Sequence, residues 1–236
     1  MRNKRIFLVI SISLLGASIA LAQTAAPGKP PKSVDEIKKM IKKAYSDDLK
    51  VSDAAKDELL KLTADSVPSL FEILKKEKPC TASVAADAIM SLNPKYPGLV
   101  PAVTKLVRGV TVRSLFHWEE EMTCRREAAY FLLLSADGLR SILNLLKKGD
   151  TWEKQTAIFA LDDFTEVAGY NDHPGQIDVM KEVIPALAKL QRSKDRIISE
   201  MSYEVLGQIS RREPKELSEL AKNLLIDYHL LPERNF

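Results

Sequence analysis

Glycine is scarce in this chain, with 9 residues in 236, and its runs of β-branched residues are short. Strands favour β-branched residues and tight hairpins favour glycine, so the composition argues against a fold built on sheets. Long stretches instead place apolar residues three and four positions apart, which puts them on one face of a helix. The sequence therefore predicts an all-α fold.

Recognisable catalytic motifs are also missing. The chain has no nucleophile elbow, no phosphate-binding loop, no dinucleotide fingerprint and no His-Glu-x-x-His pair. We therefore nominate no catalytic residue, and we predict neither a metal nor a cofactor. An enzyme that uses no known motif is still compatible with the sequence.

The N-terminus has the pattern of an export signal. Three basic residues precede an apolar stretch over 6–20, which closes on the small-x-small sequence Ala20-Leu21-Ala22. We predict a signal peptide over residues 1–22 and a mature chain from Gln23 that is periplasmic or secreted. An uncleaved anchor is the alternative, but the stretch falls short of the ~20 strongly apolar residues of a spanning helix.

Removing the signal leaves the chain without net charge. The whole chain has 35 Lys and Arg against 32 Asp and Glu, and residues 1–22 contain three of the basic residues and no acidic one. A nucleic-acid binder needs a cationic surface, so we expect no nucleic-acid partner, and no membrane contact after signal removal. Residues 23–32 contain three prolines and one glycine and are predicted to be a flexible leader.

One pattern recurs four times between residues 66 and 212. Pro68-Ser-Leu-Phe-Glu-Ile-Leu-Lys75 returns in altered form at 101–108, 140–147 and 185–192. Each copy predicts a first helix that ends on Lys or Arg, which suits the negative end of the helix dipole. A second helix follows each, with a small residue near its start, at Ala85, Ala128, Ala157 and Ser202. This small position lies 17 residues after the start of the pattern in three copies and 27 in the second, which indicates one repeated unit with one insertion.

These units resemble the HEAT-repeat family of α-solenoids. The first helix has a proline near its start in three units, at Pro68, Pro101 and Pro185. An aspartate occupies the intervening turn at Asp150 and Asp195. The family's basic residue, three before the small position, is present as Arg125 and Lys154 but is replaced by Ala82 and Ser199. The resemblance implies a right-handed α-solenoid of about five antiparallel helix pairs, HEAT- or armadillo-like, that acts as a scaffold through its concave face.

Residues 33–236 are predicted to form one such domain, closed at both ends. Ser33-Val-Asp-Glu36 has the sequence of a capping box and opens a helix to about Tyr45. A second helix over about Ser52 to Ala64 completes an N-terminal cap of residues 33–64. A helix from about Pro214 to Tyr228 lies within a C-terminal cap of residues 213–236.

Two insertions interrupt the repeat, one from Gly109 to Met122 and one from about Thr165 to Gln176. The first joins the helices of one unit and the second joins consecutive units. We therefore expect them on opposite edges of the stack, which argues against pairing His117 with His173.

The first insertion admits two interpretations. It is either an amphipathic cover that packs Phe116 and Trp118 onto the body, or a site of an enzyme or ligand-binding protein in which His117 acts as acid, base or ligand. One histidine beside Glu119, Glu120 and Glu121 is a poor match for zinc coordination.

Positions two and six after the small position should point away from the core, onto a surface that we call the second-helix ridge. Its members are Asp87, Tyr130, Phe159 and Glu204 at position two, and Ser91, Leu134, Asp163 and Gln208 at position six. An apolar middle between polar ends indicates a binding patch for another protein. Its residues are the anchors Tyr130, Leu134 and Phe159, with Asp163, Glu204 and Trp118 beside them. The alternative is that the first insertion covers this patch.

The two cysteines, Cys80 and Cys124, fall at the starts of second helices in adjacent units. An exported protein meets an oxidising compartment, which is consistent with one disulfide. Neighbouring helix axes lie about 8–10 Å apart, whereas a disulfide needs Cα atoms within ~7 Å. Two buried thiols are therefore the alternative.

Overall fold

The computed structural model describes residues 31–46, 48–108, 118–167, 175–212 and 214–226, without the side chains of 118–122 and 163–167. Within these ranges there is no strand, and a short 3-10 turn over Ala64–Ser66 precedes α3. The α-helices are α1 (Val34–Ala44), α2 (Leu49–Leu60), α3 (Val67–Lys76), α4 (Pro79–Leu92), α5 (Leu99–Arg108), α6 (Trp118–Leu132), α7 (Ala136–Lys148), α8 (Thr151–Val167), α9 (Gln176–Leu190), α10 (Arg196–Ile209) and α11 (Lys215–Leu224). The predicted signal peptide lies outside the described residues.

The helices form pairs that stack in two layers. Only two residues separate α3 from α4, and two separate α7 from α8, so the chain reverses and the paired helices pack together. The odd-numbered first helices pack on one another in sequence from α1 to α11. The second helices α4, α6, α8 and α10 do the same. Five helix pairs and a closing helix in this order confirm the predicted all-α solenoid.

The core lies between the two layers and uses the predicted positions. In the first helices, Leu70, Val103, Ile142 and Leu187 are at most 1% exposed. In the second helices, the small position is fully buried at Ala85, Ala128, Ala157 and Ser202. Small side chains at these points let the paired helices approach closely, and the neighbouring large side chains fill the remaining space.

Three residues before the small position, side chains of different types donate a hydrogen bond to a backbone carbonyl at the end of the preceding helix. Ser199 Oγ donates to the carbonyl of Gln191 at 2.6 Å, and the buried Arg125 guanidinium donates to the carbonyl of Leu106. Ser52 Oγ makes the same bond to Ala44 at 2.7 Å. Each satisfies a carbonyl in the last turn of the preceding helix, which has no partner inside that helix. Arginine and serine therefore make the same kind of bond at this position, whereas Ala82 in the first unit has no side-chain donor.

The two turn aspartates cap second helices. Asp195 Oδ1 accepts from the backbone N–H of Ile198 at 3.0 Å. Asp150 Oδ1 accepts from Glu153 N–H at 2.8 Å, and Glu153 Oε2 accepts in return from Asp150 N–H at 3.1 Å. A side-chain oxygen at this position satisfies one of the unpaired N–H groups that begin a helix.

Some predicted boundaries were wrong. Pro185 lies inside α9, which begins nine residues earlier at Gln176, so this proline is not near the start of its helix. Because proline has no N–H, it leaves the carbonyl four residues before it without a helical partner. The repeated pattern covers only the part that the units share, and the longer starts of α7 and α9 lie outside it.

The end caps differ less from prediction. The capping box of α1 is present, with Glu36 N–H donating to Ser33 Oγ at 3.3 Å and Ser33 N–H to Glu36 Oε2 at 2.8 Å. Helix α2 spans Leu49–Leu60 instead of Ser52 to Ala64, because Asp48 caps it by accepting from Lys50 N–H at 2.9 Å. The last part of the predicted closing helix, beyond residue 226, lies outside the described residues.

Candidate functional site

A disulfide joins Cys80 of α4 to Cys124 of α6, and the two Cα atoms are 4.9 Å apart. Of the two alternatives that the sequence left open, the structure therefore has the bonded one. The two helices come closer than the usual axis spacing because the N-terminal end of α4 meets the middle of α6. Cys124 is therefore not at the start of its helix, as the sequence had predicted, because α6 begins earlier at Trp118. The bond fixes two neighbouring second helices to each other where the second-helix ridge begins.

The three predicted apolar anchors lie side by side on the second-helix layer, but they are half-buried. Tyr130 is on α6, Leu134 lies in the turn after α6, and both pack partly against the core; Phe159 is on the neighbouring α8. Glu204 on α10 is exposed. The side chains of Asp163 and Trp118 lie outside the described part of the structure, although both residues are helical.

The first insertion is shorter than predicted, because residues 118–122 belong to α6. Residues 109–117, with Phe116 and His117, lie outside the described residues, as does His173. Both interpretations of the insertion, as a cover and as a site around His117, therefore remain predictions.

Phe159 is partly covered by a charge. The Arg126 guanidinium lies 4.9 Å from the centroid of the Phe159 ring. A cation over an aromatic face is held by the ring quadrupole, by about 0.5–2 kcal/mol. The middle of the second-helix ridge therefore combines aromatic surface with a positive charge, a feature that the apolar pattern did not indicate.

Two carboxylates on the neighbouring helices α4 and α6 are only partly exposed. Burial raises the pKa of Asp87 on α4 to about 6. Burial, followed by the negative charge of Asp87, raises the pKa of Glu127 on α6, and Arg126 opposes that shift. No hydrogen bond or ion pair from another described residue holds Asp87, Glu127 or Glu204. Sequence reasoning placed Asp87 on the ridge as a polar end but missed Glu127, one turn before Tyr130 on the same helix.

Charge is divided between the two layers. By sequence, the first helices α1, α3, α5, α7, α9 and α11 contain 15 Lys and Arg against 8 Asp and Glu. The second helices α2, α4, α6, α8 and α10 contain 6 against 14. Net charge conceals this division, which becomes visible once each helix is assigned to its layer.

Within the described ranges, four of the five exposed large apolar side chains lie on the N-terminal cap, and the fifth is Ile197 of α10. Leu49 is 68% exposed and Leu60 is 55% exposed, and Tyr45 and Val51 are also exposed. Helix α2 packs on α1 and contributes little to the second-helix layer. The sequence pattern of the four repeats could not identify this surface, because the cap diverges from them.

Two negative observations apply only to the described ranges. They contain no group of three or more His, Cys, Asp and Glu side chains placed to hold a metal ion. None of their helices is both long enough and apolar enough to cross a bilayer.

Comparison with known proteins gives a likeness to engineered repeat proteins. No family model matches the chain, and no curated protein matches it. A crystal structure of an engineered protein matches with 15% identity and a TM-score of 0.34, covering 80% of this chain and 95% of that one. A designed armadillo repeat protein in complex with the peptide (KR)4 matches with 15% identity and a TM-score of 0.32, covering 80% and 98%. Neither likeness is close enough to bear on function.

The repeat itself identifies the fold. The four units share a fully buried small position, and their helices stack in two continuous layers. The chain has a HEAT/armadillo-like helical repeat fold.

Proposed function

We propose that this protein is an exported scaffold that binds another protein on its second-helix ridge and has no catalytic activity of its own. The observation that carries the proposal is that Tyr130 on α6, Leu134 in the turn after α6 and Phe159 on α8 are all half-buried, and that α6 and α8 pack on each other. Aromatic side chains in this state combine a large contact area with little loss of side-chain entropy, and they dominate the energetics of many interfaces.

Rigidity supports the same proposal. The Cys80–Cys124 disulfide ties α4 to α6, and α6 packs directly on α8. A surface held in one geometry loses less entropy on binding than a mobile one. The helices that bear Asp87, Tyr130 and Phe159 are therefore suited to pre-organised recognition.

The disulfide also supports export. Structural disulfides persist in oxidising compartments and are rare in reducing ones. Together with the signal-like residues 1–22, this favours a periplasmic or secreted location. Mass spectrometry of the purified protein tests the point: a chain that begins at Gln23 agrees with cleavage, and one that retains residues 1–22 contradicts it.

The test of function is affinity capture with the chain from residue 23 to 236. The bait is used as wild type, as the Tyr130→Ser/Phe159→Ser variant, and as a matched control, Leu49→Ser/Leu60→Ser, which removes exposed apolar side chains away from the ridge. We expect one partner held by wild type and by the control and lost by the ridge variant. Circular dichroism must show that all three baits are equally helical.

A single variant separates an interface residue from a core residue. Phe159→Asp should abolish capture while the helical signal is kept. Loss of helical structure would instead show that Phe159 is needed for the fold. If the wild type captures nothing that the ridge variant loses, the proposed function fails, and a His117→Ala variant then tests the alternative site in residues 109–117.

A further inference from the structure

We infer that the protein binds a small organic anion, an acidic group carried on an apolar ring or chain, in a cleft between the first helices α3 and α5. This α3–α5 cleft has a volume of about 440 Å³, which is within the size range of sites for small ligands. It lies on the first-helix layer, whereas the proposed partner surface lies on the second-helix layer. The inference therefore does not depend on the proposed function.

The walls of the cleft are largely apolar. Phe71 and Leu74 come from α3, and Pro101 and Leu106 come from α5. Leu74 is buried, Phe71 and Leu106 are half-buried, and Pro101 is exposed. An apolar body that entered the cleft would remove the exposed parts of these side chains from water, which favours its binding.

The aromatic wall of the cleft is held in place by its neighbours. The Phe71 ring meets Tyr96 edge-on, with the ring centroids 5.0 Å apart. At Gly98, just before α5, the backbone φ is +83°, and a Cβ there would lie 3.2 Å from Phe71 Cζ. Glycine therefore lets the chain turn close against this ring. A wall that is already positioned loses little entropy when a ligand packs on it.

The charge of the cleft is mainly positive. Lys75 of α3 and Lys105 of α5 are exposed at its edges, and Arg125 of α6, which is 3% exposed, also lines it. Glu77 is the only acidic side chain among the described residues that line the cleft, and Lys38 pairs with it at 2.6 Å. This balance of charge favours an anion, because it steers anions towards the cleft and disfavours cations.

Charge and apolar surface lie close enough together for one small molecule to use both. Lys75 Nζ is 5.3 Å from the centroid of the Phe71 ring. An acidic group can accept a charge-assisted hydrogen bond from Lys75 or Lys105 while its apolar body packs on Phe71. A neutral apolar molecule is less suitable, because it would displace water from the two lysines without offering them an acceptor.

The test uses the fluorescent anion 8-anilinonaphthalene-1-sulfonate and its uncharged counterpart N-phenyl-1-naphthylamine, each titrated into the purified protein. Dissociation constants are measured for wild type, for Lys75→Gln/Lys105→Gln, and for Lys148→Gln/Lys189→Gln, a matched control that removes two exposed lysines of α7 and α9. We expect the anion to bind wild type and the control within twofold of each other, and the cleft variant at least fivefold more weakly. Wild type should prefer the anion to the uncharged probe, and the cleft variant should lose this preference.

A second variant tests the shape of the cleft without changing its charge. Ala102 lines the cleft from α5 and is half-buried, so Ala102→Leu should fill part of the space and weaken binding of the anion at least fivefold. Thermal unfolding shows whether this variant is folded. If it is not, the comparison between the two lysine variants decides the matter.

Several results would overturn the inference. Wild type that shows no saturable binding of the anion has no such site. Equal affinity of wild type and Lys75→Gln/Lys105→Gln would place the probe elsewhere, and its loss from Leu49→Ser/Leu60→Ser would place it on the N-terminal cap. Equal weakening by both lysine variants would show a response to net charge alone. Displacement of the anion by a peptide of three Glu-Gly-Asp-Ser repeats would show that the cleft takes an acidic segment, which needs no apolar body.

Discussion

The two layers of this solenoid are built by the same repeat and use their charged residues differently. Along the first-helix layer, acids such as Glu182 and Glu216 pair with lysines of the preceding first helix. Along the second-helix ridge, Asp87, Glu127 and Glu204 have no partner of this kind within the described residues. Ion pairs join successive first helices, whereas these three second-helix acids have no cation of this chain across from them among the described residues. In a repeat protein, the stacking that sets the fold therefore leaves each face open to a different use.

The largest expected effect comes from removing the covalent link between two second helices. The Cys80→Ala/Cys124→Ala variant should be less stable by about 4 kcal/mol, because the chain-entropy model assigns roughly that value to a loop of this size. Urea denaturation followed by circular dichroism measures the loss. Reduction with dithiothreitol should destabilise wild type by a similar amount and leave the variant unchanged. A wild type that is indifferent to the reductant would show that the bond is not formed.

The second-largest effect is the dependence of stability on pH that Asp87 of the second-helix layer causes. Burial raises the pKa of Asp87 to about 6, from the ordinary 3.8. Between pH 4 and pH 6 the native state holds a proton that the unfolded chain has released, so stability should fall as the pH rises through this range. The total change is at most about 3 kcal/mol, and partial exposure of the group will reduce it.

Asp87→Asn tests that expectation. The variant should lose much of the pH dependence between pH 4 and pH 6.5 and should be more stable than wild type at pH 7. Thermal unfolding across this range measures both. Glu127 and Arg126 are charged neighbours, so Glu127→Gln serves as a second variant that changes the field around Asp87. If wild type and Asp87→Asn have parallel profiles, a cation from this chain already neutralises the carboxylate.

A smaller effect is expected at the donor position that the repeats share. Ser199→Ala removes the bond from Ser199 Oγ to the carbonyl of Gln191 and leaves a buried acceptor without a partner. The free energy of unfolding should decrease by about 1–2 kcal/mol. Ser52→Ala and Ser218→Ala remove equivalent bonds, and similar losses at all three sites would support a common role. A negligible change at Ser199 would contradict it.

The smallest effect is expected on the first-helix layer. Glu182→Gln breaks the exposed pair with Lys147, and such surface pairs contribute roughly 0–1 kcal/mol. The free energy of unfolding should therefore change by less than about 0.5 kcal/mol. Urea denaturation measures the change, and a loss well above about 1 kcal/mol would show that this exposed pair stabilises the layer more than surface ion pairs usually do.

The parts of the fold that the sequence predicted are those that depend on periodic burial. The columns through Leu70 and Ala85 follow from the period of a helix and from the need to pack two helices closely. The ends of the helices were predicted less well. Pro185 was placed near a helix start because the repeated pattern begins there, whereas the longer α9 is determined by residues outside the pattern.

The candidate site was harder to predict because it depends on contacts between helices. Tyr130 and Phe159 could be placed on one surface from their spacing, but the position of Arg126 over Phe159 requires the packing of α6 on α8. The sequence gives no signal for Glu127, for a related reason. Its significance comes from burial next to Asp87 of another helix, and neither burial nor that proximity is encoded in local spacing.

The Cys80–Cys124 bond also determines what a protease can accomplish here. The two cysteines are 44 residues apart in sequence and enclose most of α4, all of α5 and residues 109–117. A cut anywhere inside that loop would leave both fragments covalently joined. The cleaved protein should therefore migrate as one species on a non-reducing gel and as two after reduction, and its second helices would stay aligned after the backbone had been cut.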